Sequence, residues 1–468
     1  MSVSSVFFSP ERTVFLSIKR STIQFVMAAL FGSSLILSAL AVSPASAQGT
    51  QSASPSAADM DPKFAVDWIQ LVYDRVKAET VDAPGASRVY AYAGVTLYEA
   101  VQAGLPNDLS LTTQIKGMPT MPALDASAVY DWPSVANAAM QTVTDSLLTA
   151  DDTHKATAAL RDSQAAARRA AVGDDVVKRS LAQGEALGKA IAAWAAHDGA
   201  AEAREKAKTY KLPTDNEWDY VPTTPGTKPV GPYWGTLRPF GLEKSDICDV
   251  GYNMQLSSDP NSALYIQAME VKTTGDHLTD EQKATANWWL DTPGLTGAPS
   301  GHWVMIASQM VADLHLKLGK TAEMYAMVGM ALGDAFISCW QTKYEHPYLR
   351  PITYINRYIN PTWQSYIASP PFPTYDSGHS AASQAAADVL TALFGQVAFT
   401  DSTHVKDGQS ARAFTSFQAA ASEAGISRLY GGIHFRVDIE NGLKQGSCVA
   451  QHLLDNIHLH PTASDTAQ

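Results

Sequence analysis

Apolar residues recur at the spacing of an α-helix along most of the chain and predict a fold built almost entirely from helices. The first such segment begins near Asp61, where Phe64, Trp68 and Leu71 fall on one helical face. The same periodicity predicts helices over residues 86–104, 134–148, 152–171, 174–197, 279–290, 302–318 and 322–340, with another beginning near 262. Alternating apolar and polar positions, the signal of a half-buried strand, are sparse. We therefore expect an all-α protein.

Two long segments interrupt the helical pattern. Residues 106–132 contain prolines and threonines, and residues 208–249 are rich in proline, glycine and aromatic residues with little periodicity. Connections of this length in a compact protein are uncommon and usually carry function or pack over a surface.

Two predicted helices share a sequence pattern. Residues 90–100 and 325–335 have Tyr, Ala, Gly, Leu, an acidic residue and Ala at identical offsets. Chance similarity between two Ala-rich helices is one explanation. The other is that two related helical bundles pack together, with small residues where helices cross closely.

The N-terminus has the form of a secretory leader. Lys19 precedes an apolar run over residues 23–42, and residues 45–47 read Ala-Ser-Ala, a small-x-small cleavage site. The run is about long enough to span a bilayer, so a retained membrane anchor is the alternative. The cleavage site favours export to the periplasm or the medium, with a signal peptide at 1–47 and a flexible lead-in at 48–60.

The chain is acidic, with a formal net charge of −12. The predicted signal peptide carries a small positive excess, so the rest of the chain is more acidic still. This balance argues against nucleic acid or an anionic membrane surface as a partner. An anion site would therefore require a local basic cluster set against the overall field.

The three cysteines, Cys248, Cys339 and Cys448, lack the spacing of a metal finger. An exported protein could pair two of them, and the odd count leaves one free. We expect buried thiols rather than a disulfide.

The Ser-Gly-His segment at residues 377–379 is the first of three segments that carry chemistry. A proline-rich loop at 370–373 precedes it, and an Ala-rich helix is predicted to follow. Ser377 is suited to cap that helix, and the free amides of the first turn favour an anion. Gly378 lets the backbone approach such a ligand closely. His379 could then exchange a proton with it.

The second segment supplies two basic side chains. Lys343 and Arg350 are seven residues apart. We expect them to project from one side of a helix that Pro351 brings to an end.

The third segment contains Arg428, His434 and Asp438. The last two are four residues apart, so a helix would set the carboxylate beside the imidazole and fix its tautomer. Each segment alone has an ordinary explanation, a solvated basic helix face or a satisfied core histidine. Together the three segments supply donors suited to a tetrahedral or trigonal-bipyramidal oxyanion.

The order Lys-x6-Arg-Pro, Ser-Gly-His, Ser-Arg-x5-His-x3-Asp resembles the signature shared by the type 2 phosphatidic acid phosphatase superfamily and the vanadium-dependent haloperoxidases. The haloperoxidases are the more similar branch, because Trp340 lies three residues before Lys343, as in fungal-type chloroperoxidases, and Pro-Pro-Phe-Pro-x-Tyr precedes Ser-Gly-His. A looser resemblance extends upstream to about residue 60 and is similar to the bacterial exported members. The resemblance implies two packed four-helix bundles. We accordingly assign residues 61–250 to an N-terminal bundle with its Pro/Gly-rich connection, and 251–468 to the bundle that carries the oxyanion site.

The resemblance also implies vanadate as cofactor and a role for each matching residue. His434 would bond vanadium, or serve as the nucleophile of a phosphatase, and His379 would be the acid–base residue. Phe372 matches a position where chloroperoxidases tend to have phenylalanine. The oxyanion-binding residues would be Lys343, which also takes part in catalysis, Arg350, Ser377, Gly378 and Arg428, supported by Asp438, Trp340 and Phe372.

Two features depart from the family pattern. Asp376 stands where the family usually has proline, and a carboxylate beside an anion site would lower vanadate affinity unless it turns outward. A second Pro-Ser-Gly-His occurs at residues 299–302, before Lys343 and so out of order. We interpret it as a helix cap near the pocket rather than as the site itself.

Three functions are compatible with these residues. The first is a vanadate-dependent haloperoxidase that oxidises halide with hydrogen peroxide to hypohalite. The second is an acid phosphatase that cleaves phosphate monoesters through a phosphohistidine, and the third is a non-catalytic oxyanion-binding protein. Trp340 and Phe372 favour the first. His379 and His434 argue against the third, because a pure binding protein needs no acid–base pair.

Overall fold

The computed structural model describes residues 54–461, and α-helices dominate this part of the chain. The helices are α1 (Lys63–Ala78), α2 (Ala83–Gln102), α3 (Trp132–Leu147), α4 (Asp151–Val172), α5 (Asp174–Ala195), α6 (Ala200–Ala207), α7 (Ala263–Asp276), α8 (Asp280–Trp288), α9 (Ala298–Asp313), α10 (Leu318–Glu345), α11 (Pro351–Tyr358), α12 (Gly378–Phe394), α13 (Phe417–Tyr430) and α14 (Arg436–Asn456). Two short strands, β1 (Phe399–Asp401) and β2 (Arg412–Phe414), pair antiparallel with Phe399 opposite Phe414. The prediction of an all-α fold is confirmed.

Most helices lie close to their predicted bounds, and the exceptions have local causes. The helix predicted over 302–318 begins earlier, at Ala298, because Pro299 is well accommodated in a first helical turn. The helices α6, α11 and α13 were not predicted. The first two have only 8 residues each, too short a window for periodicity, whereas α13 has 14 residues and was missed. The predicted signal peptide lies outside the described residues.

The two segments with a shared pattern lie against each other at the crossing of α2 and α10. A Cβ added to Gly94 would stand 2.2 Å from the carbonyl oxygen of Tyr325, and one added to Gly329 would stand 2.8 Å from that of Tyr90. The contacts are reciprocal, so the shared glycine has the same packing role in both segments. Of the two explanations for the shared pattern, the structure therefore favours small residues at a close helix crossing over chance similarity.

A large hydrophobic cluster extends from Ala57 to Leu459 in sequence and takes side chains from most of the helices. A smaller cluster around Leu264, Tyr354 and Phe435 lies beneath α7, α11 and the start of α14. The large cluster has members on both sides of residue 250. The division into two bundles at that residue stays a prediction. Within the part of the chain that the structure describes, no helix is long and apolar enough to cross a membrane.

The Pro/Gly-rich connection is fastened to α10 by one buried carboxylate. Asp334 accepts hydrogen bonds from the amides of Phe240, Gly241 and Leu242 at 2.7–3.1 Å. Burial raises the pKa of Asp334 to about 6 although the three amides oppose the shift. Further back, the carbonyl of Val230 accepts from Trp340. The connection therefore packs over the end of α10 that leads into the site.

The cysteines depart from the expectation of three buried thiols. Cys248 and Cys448 form a disulfide between the connection and α14, with Cα atoms 5.6 Å apart. Cys339 is the free, buried thiol. The two partners are 200 residues apart in sequence, and local spacing carries no information about such a pair.

Candidate active site

The three chemistry-bearing segments meet at one cavity of about 780 Å³. Gly378, His379, Arg428 and His434 line its inner end. Lys343, Arg350 and Ser377 lie fully buried around them. The structure thus brings together residues that are up to 91 positions apart in the sequence.

The Ser-Gly-His segment begins α12, and Ser377 is its N-cap as the sequence predicts. Its hydroxyl accepts from the Ser380 amide and from the Ser380 hydroxyl, at 3.3 and 2.9 Å. The Ser377 proton therefore stays available to another acceptor. The first-turn amides of Gly378 and His379 have no partner within the helix. This end of α12 offers donors and the positive end of a helix dipole to the cavity.

Lys343 and Arg350 do not project from one helix, so that part of the sequence prediction is wrong. The helix α10 ends at Glu345, and Arg350 is the N-cap residue of α11, which Pro351 starts. His346 and Arg350 each precede a proline, a position that disfavours helical backbone. The two cations reach the same site from different elements.

Arg350 is buried and keeps one hydrogen-bond donor in reserve. Its Nε donates to the Phe372 carbonyl at 2.9 Å, and its Nη1 lies 2.9 Å from the Ile433 carbonyl and 3.0 Å from Nε2 of His434. The buried Nη2 has no partner among the described residues. A buried guanidinium nitrogen without an acceptor is costly unless a ligand supplies one.

His434 is oriented by the carboxylate that the sequence assigns to it. Its Nδ1 lies 3.0 Å from Oδ2 of Asp438, which also accepts from the Phe435 amide at 3.0 Å. His434 precedes α14 and Asp438 lies in its first turn, so the pair bridges a loop and a helix rather than sharing one helix. Burial first, and then Arg350 and Lys343, lower the pKa of His434 well below its ordinary value. The ring is therefore neutral, with Nδ1–H on Asp438 and a lone pair on Nε2.

Lys343 points its ammonium at backbone carbonyls of the loop before Ser377. Nζ lies 3.1 Å from the carbonyls of Pro373 and Thr374 and also donates to that of Asp376. Burial lowers the pKa of Lys343 to about 8. Lys343 thus fixes the loop that positions Ser377. To contact an oxyanion, the ammonium would have to replace its hydrogen bond to one of these carbonyls by a hydrogen bond to the oxyanion.

His379 has a different environment from His434. Its side chain is 17% exposed, and its Nε2 has no partner among the described residues. Burial and the charge of Arg428 lower the pKa of His379. A neutral imidazole with an unpaired nitrogen at a cavity wall is suited to take up a proton.

The carboxylate close to this free nitrogen belongs to a residue that the sequence did not suggest. Oδ2 of Asp291 lies 4.0 Å from Nε2 of His379, and Asp291 also lines the cavity. It follows α8 at a positive φ of 46°. A single aspartate in an irregular connection gives no pattern that could have identified it.

Trp340 and Phe372 form an aromatic wall of the cavity. Their ring centroids are 5.0 Å apart. The Phe372 ring lies 5.2 Å from Nζ of Lys343 and 4.9 Å from Cζ of Arg350. The two rings separate the cations from solvent, so charge interactions at this end of the cavity are weakly screened.

Asp376 does not face the cavity. Its carboxylate is fully buried, and the Gln445 amide, turned so that its nitrogen faces this group, donates to Oδ2 at 2.8 Å. Burial raises the pKa of Asp376 to about 6. The side chain turns away from the cavity into the protein beside α14, so the sequence-based concern that it would lower vanadate affinity does not apply through direct contact.

The second Pro-Ser-Gly-His segment is not a helix cap, and that prediction is also wrong. Gly297 is the N-cap residue of α9, and Ser300 lies inside the first turn. Pro299 lines the cavity, as expected of a segment near the pocket. His302 is buried in a separate cluster of histidines and carboxylates behind Asp291.

These residues fit an oxyanion better than a free metal cation. Three buried cations, the start of α12 and the unpartnered Nη2 of Arg350 all offer positive charge or donors. The carboxylate of Asp438 is already engaged behind His434. A neutral imidazole nitrogen beside such donors suits an oxyanion whose central atom accepts a nitrogen ligand, as vanadate does.

An all-helical fold with this convergence of donors and two histidines defines an oxyanion-handling enzyme. The family model described as the VCPO second helical-bundle domain matches residues 323–461. The chain is similar to the crystal structure of the first bacterial vanadium-dependent iodoperoxidase, with 31% identity, a TM-score of 0.80, and coverage of 86% of this chain and 99% of that one. The chain therefore belongs to the vanadium-dependent haloperoxidases.

More distant structures share the fold. The apo form of a bacterial vanadium-dependent chloroperoxidase matches at 14% identity and a TM-score of 0.63, covering 80% of this chain and 93% of that one. A holo form matches at 14% identity and a TM-score of 0.59, covering 86% and 93%. No curated protein sequence matches the chain.

Proposed function

We propose that this protein is a vanadate-dependent haloperoxidase that uses hydrogen peroxide to oxidise halide to hypohalite. The observation that carries the proposal is that the neutral imidazole of His434 presents Nε2 beside Arg350, whose buried Nη2 has no partner among the described residues. The first suits a bond to a central atom, and the second suits an oxygen attached to it. Membership of the haloperoxidase family supports the same conclusion.

The roles of the side chains follow from their contacts. His434 would hold the cofactor through Nε2, while Asp438 keeps the proton on Nδ1. Arg350, Arg428 and the amides that start α12 would balance the oxyanion charge. When bound, vanadate supplies the Lewis-acidic centre at which peroxide is activated.

His379 would move protons rather than bind the cofactor. His379 lines the cavity, and its unpartnered Nε2 would accept a proton from the incoming peroxide. Burial and Arg428 keep the imidazole neutral, so its lone pair is available, and the nearby carboxylate of Asp291 opposes their effect on the pKa and would offset the charge of the protonated ring. Trp340 and Phe372 limit the access of water to the same space.

The direct test is reconstitution of vanadate-free protein. Halogenation of a dimedone dye with peroxide should appear only when orthovanadate is added, and phosphate should suppress it by competition, because the site recognises oxygens on a central atom. Iodide, bromide and chloride are compared in parallel to define the halide range. Full activity in chelator-treated, vanadate-free protein would refute the proposal.

The same preparation distinguishes the phosphatase alternative. Hydrolysis of p-nitrophenyl phosphate by the vanadate-free protein should be negligible beside its reconstituted halide oxidation.

An Arg428→Ala variant should lose vanadate affinity while its circular dichroism stays helical. If that variant unfolds instead, Arg428 has a structural role and its assignment to the oxyanion is wrong.

We further propose that the protein is exported to the periplasm or the medium. The leader-like residues 1–47 motivate this, and the disulfide between Cys248 and Cys448 is of the kind that persists in oxidising compartments. Fractionation of the native host with N-terminal sequencing tests it. A full-length chain recovered from the cytoplasm with both thiols reduced would contradict export.

A further inference from the structure

Behind His379 lies a second cluster of ionisable groups, of which the proposed halide oxidation uses only the carboxylate of Asp291. Nδ1 of His302 lies 3.0 Å from Oδ2 of Asp291, and Nε2 of His404 lies 3.4 Å from Oδ1 of the same carboxylate. All three residues are buried, and their three ligand-type atoms lie within 4.8 Å of one another. Two imidazoles thus converge on both oxygens of one carboxylate.

Each histidine is also held from behind by a further carboxylate. Nε2 of His302 lies 2.8 Å from Oδ2 of Asp401, and Nδ1 of His404 lies 3.3 Å from Oδ2 of Asp407. A carboxylate on the far nitrogen is the arrangement that orients metal-bound histidines and leaves the near nitrogen with its lone pair. Both histidines have this arrangement, and the near nitrogen of each faces the carboxylate of Asp291.

Aromatic packing fixes the two rings in these positions. Trp289 stacks on His302 with centroids 4.4 Å apart, and Trp288 meets His404 edge-on at 5.2 Å. The indole of Trp288 also donates to Asp401 at 3.0 Å. The cluster is therefore rigid and closed to bulk water, as a preformed ligand set requires.

Hydrogen bonds within the protein do not satisfy this cluster. A proton on His302 would serve its two carboxylate contacts, but Oδ1 of Asp291 and Nε2 of His404 have no hydrogen-bond partner although both atoms are buried. An acceptor oxygen and an imidazole nitrogen left facing each other at 3.4 Å call for a cation shared between them.

We propose that Asp291, His302 and His404 bind a divalent transition-metal ion of the zinc class. Two imidazoles and one carboxylate suit zinc, cobalt or nickel, whereas calcium and magnesium prefer a larger set of oxygen ligands. The site is distinct from the oxyanion site and does not require vanadate.

The ion would fasten three separate segments. Asp291 follows α8, His302 belongs to α9, and His404 follows β1. Since Asp291 lies 4.0 Å from His379, fixing this carboxylate also fixes the environment of the proton-moving histidine. The ion is thus assigned a positioning role beside the reaction rather than a part in it.

The experiment uses the full chain, purified without chelators and free of vanadate. After dialysis against metal-free buffer, elemental analysis should find a single zinc-class ion per chain. Protein reconstituted with Co²⁺ alone should show the visible absorption bands of nitrogen and oxygen coordination. His404→Ala should abolish both signals.

A second variant removes only the outer support of one ligand. Asp407 is 32% exposed, so Asp407→Asn leaves the fold intact even if His404→Ala does not. It should weaken Co²⁺ binding by about ten- to a hundredfold, the usual effect of losing a carboxylate behind a metal-bound histidine.

The matched control is His460→Ala. His460 also lies between two carboxylates, those of Asp108 and Glu323, but it is 48% exposed and the Lys320 ammonium already lies 2.7 Å from Glu323. This variant should keep the ion. The proposal is overturned if no ion is retained, in which case a proton alone closes the cluster, or if His404→Ala and Asp407→Asn bind Co²⁺ as the parent does. Vanadate-dependent halide oxidation of the metal-stripped protein is measured separately, so either result leaves the proposed function independently testable.

Discussion

Replacing each of the two cavity histidines by alanine should separate cofactor binding from turnover. Nδ1 of His434 is held by Asp438, and its Nε2 is the neutral lone pair beside Arg350. Nε2 of His379 has no partner among the described residues. The first environment suits a permanent bond to a central atom, and the second suits a proton that comes and goes.

The expected magnitudes differ accordingly. His379→Ala removes one acid–base group, which typically costs a factor of about 10² to 10⁴ in turnover, equivalent to roughly 3–5 kcal/mol of barrier. Vanadate affinity should change little, because Arg350, Arg428 and the start of α12 remain. His434→Ala removes the imidazole that Asp438 orients and that lies against Arg350, so tight binding and activity should both disappear.

Isothermal titration of vanadate into each variant, followed by halide-oxidation kinetics, provides the assay. His346→Ala is the control. His346 packs against Tyr375, which belongs to the loop before Ser377, and it pairs with Asp249 at 3.6 Å, but it does not line the cavity. It should bind vanadate and turn over like the parent. If His379→Ala loses binding while His434→Ala keeps it, the two roles are reversed.

Four further outcomes follow from the geometry. Lys343→Ala should weaken vanadate binding and lower the melting temperature, because three buried carbonyls lose their donor at about 1–3 kcal/mol each; unchanged melting would contradict the contacts of the ammonium. Gly94→Ala should destabilise by about 1–3 kcal/mol in denaturant titration, since its Cβ meets a backbone carbonyl at 2.2 Å. Gly319→Ala on α10 should cost less, because its Cβ meets the end of the Leu105 side chain at 3.1 Å and the Ala58 backbone only at 3.3 Å. Reducing the bond between Cys248 and Cys448 should cost about 2–5 kcal/mol of unfolding free energy, and an equal midpoint with and without reductant would show that it is not formed. Vanadate at a hundred times its dissociation constant should stabilise the fold by about 2.7 kcal/mol, measured as a rise in melting temperature that phosphate partly reproduces.

The parts of the fold that sequence could predict are those governed by local rules. Apolar periodicity located most helices, and the shared pattern around Gly94 and Gly329 located a close crossing, because a missing Cβ is visible in sequence. The break between Lys343 and Arg350 was missed although its cause is also local. Pro347 and Pro351 lie within five residues and exclude a continuous helix. The prediction relied on the seven-residue spacing of the two cations and did not take Pro347 into account.

The site divides in the same way. Ser377 as a helix cap and Asp438 as the partner of His434 depend on short spacings, and the structure shows both contacts. The cluster behind His379 depends on residues from three separate segments, and neither Asp291 nor His404 belongs to any motif. Only the tertiary fold brings such groups together, so a single sequence offers no signal for them.

The electrostatics of the site explain why its residues are arranged for an anion. Lys343, Arg350 and Arg428 are all essentially without solvent exposure, and burial lowers the pKa values of these three groups to about 8, about 10 and about 10. A fold gains nothing from burying three cations near one another, since desolvation and mutual repulsion both oppose it. Packing of α10, α12 and α14 must offset that cost in the ligand-free protein. A bound oxyanion would reduce the repulsion among the three cations. Binding of the cofactor should therefore stabilise the folded chain.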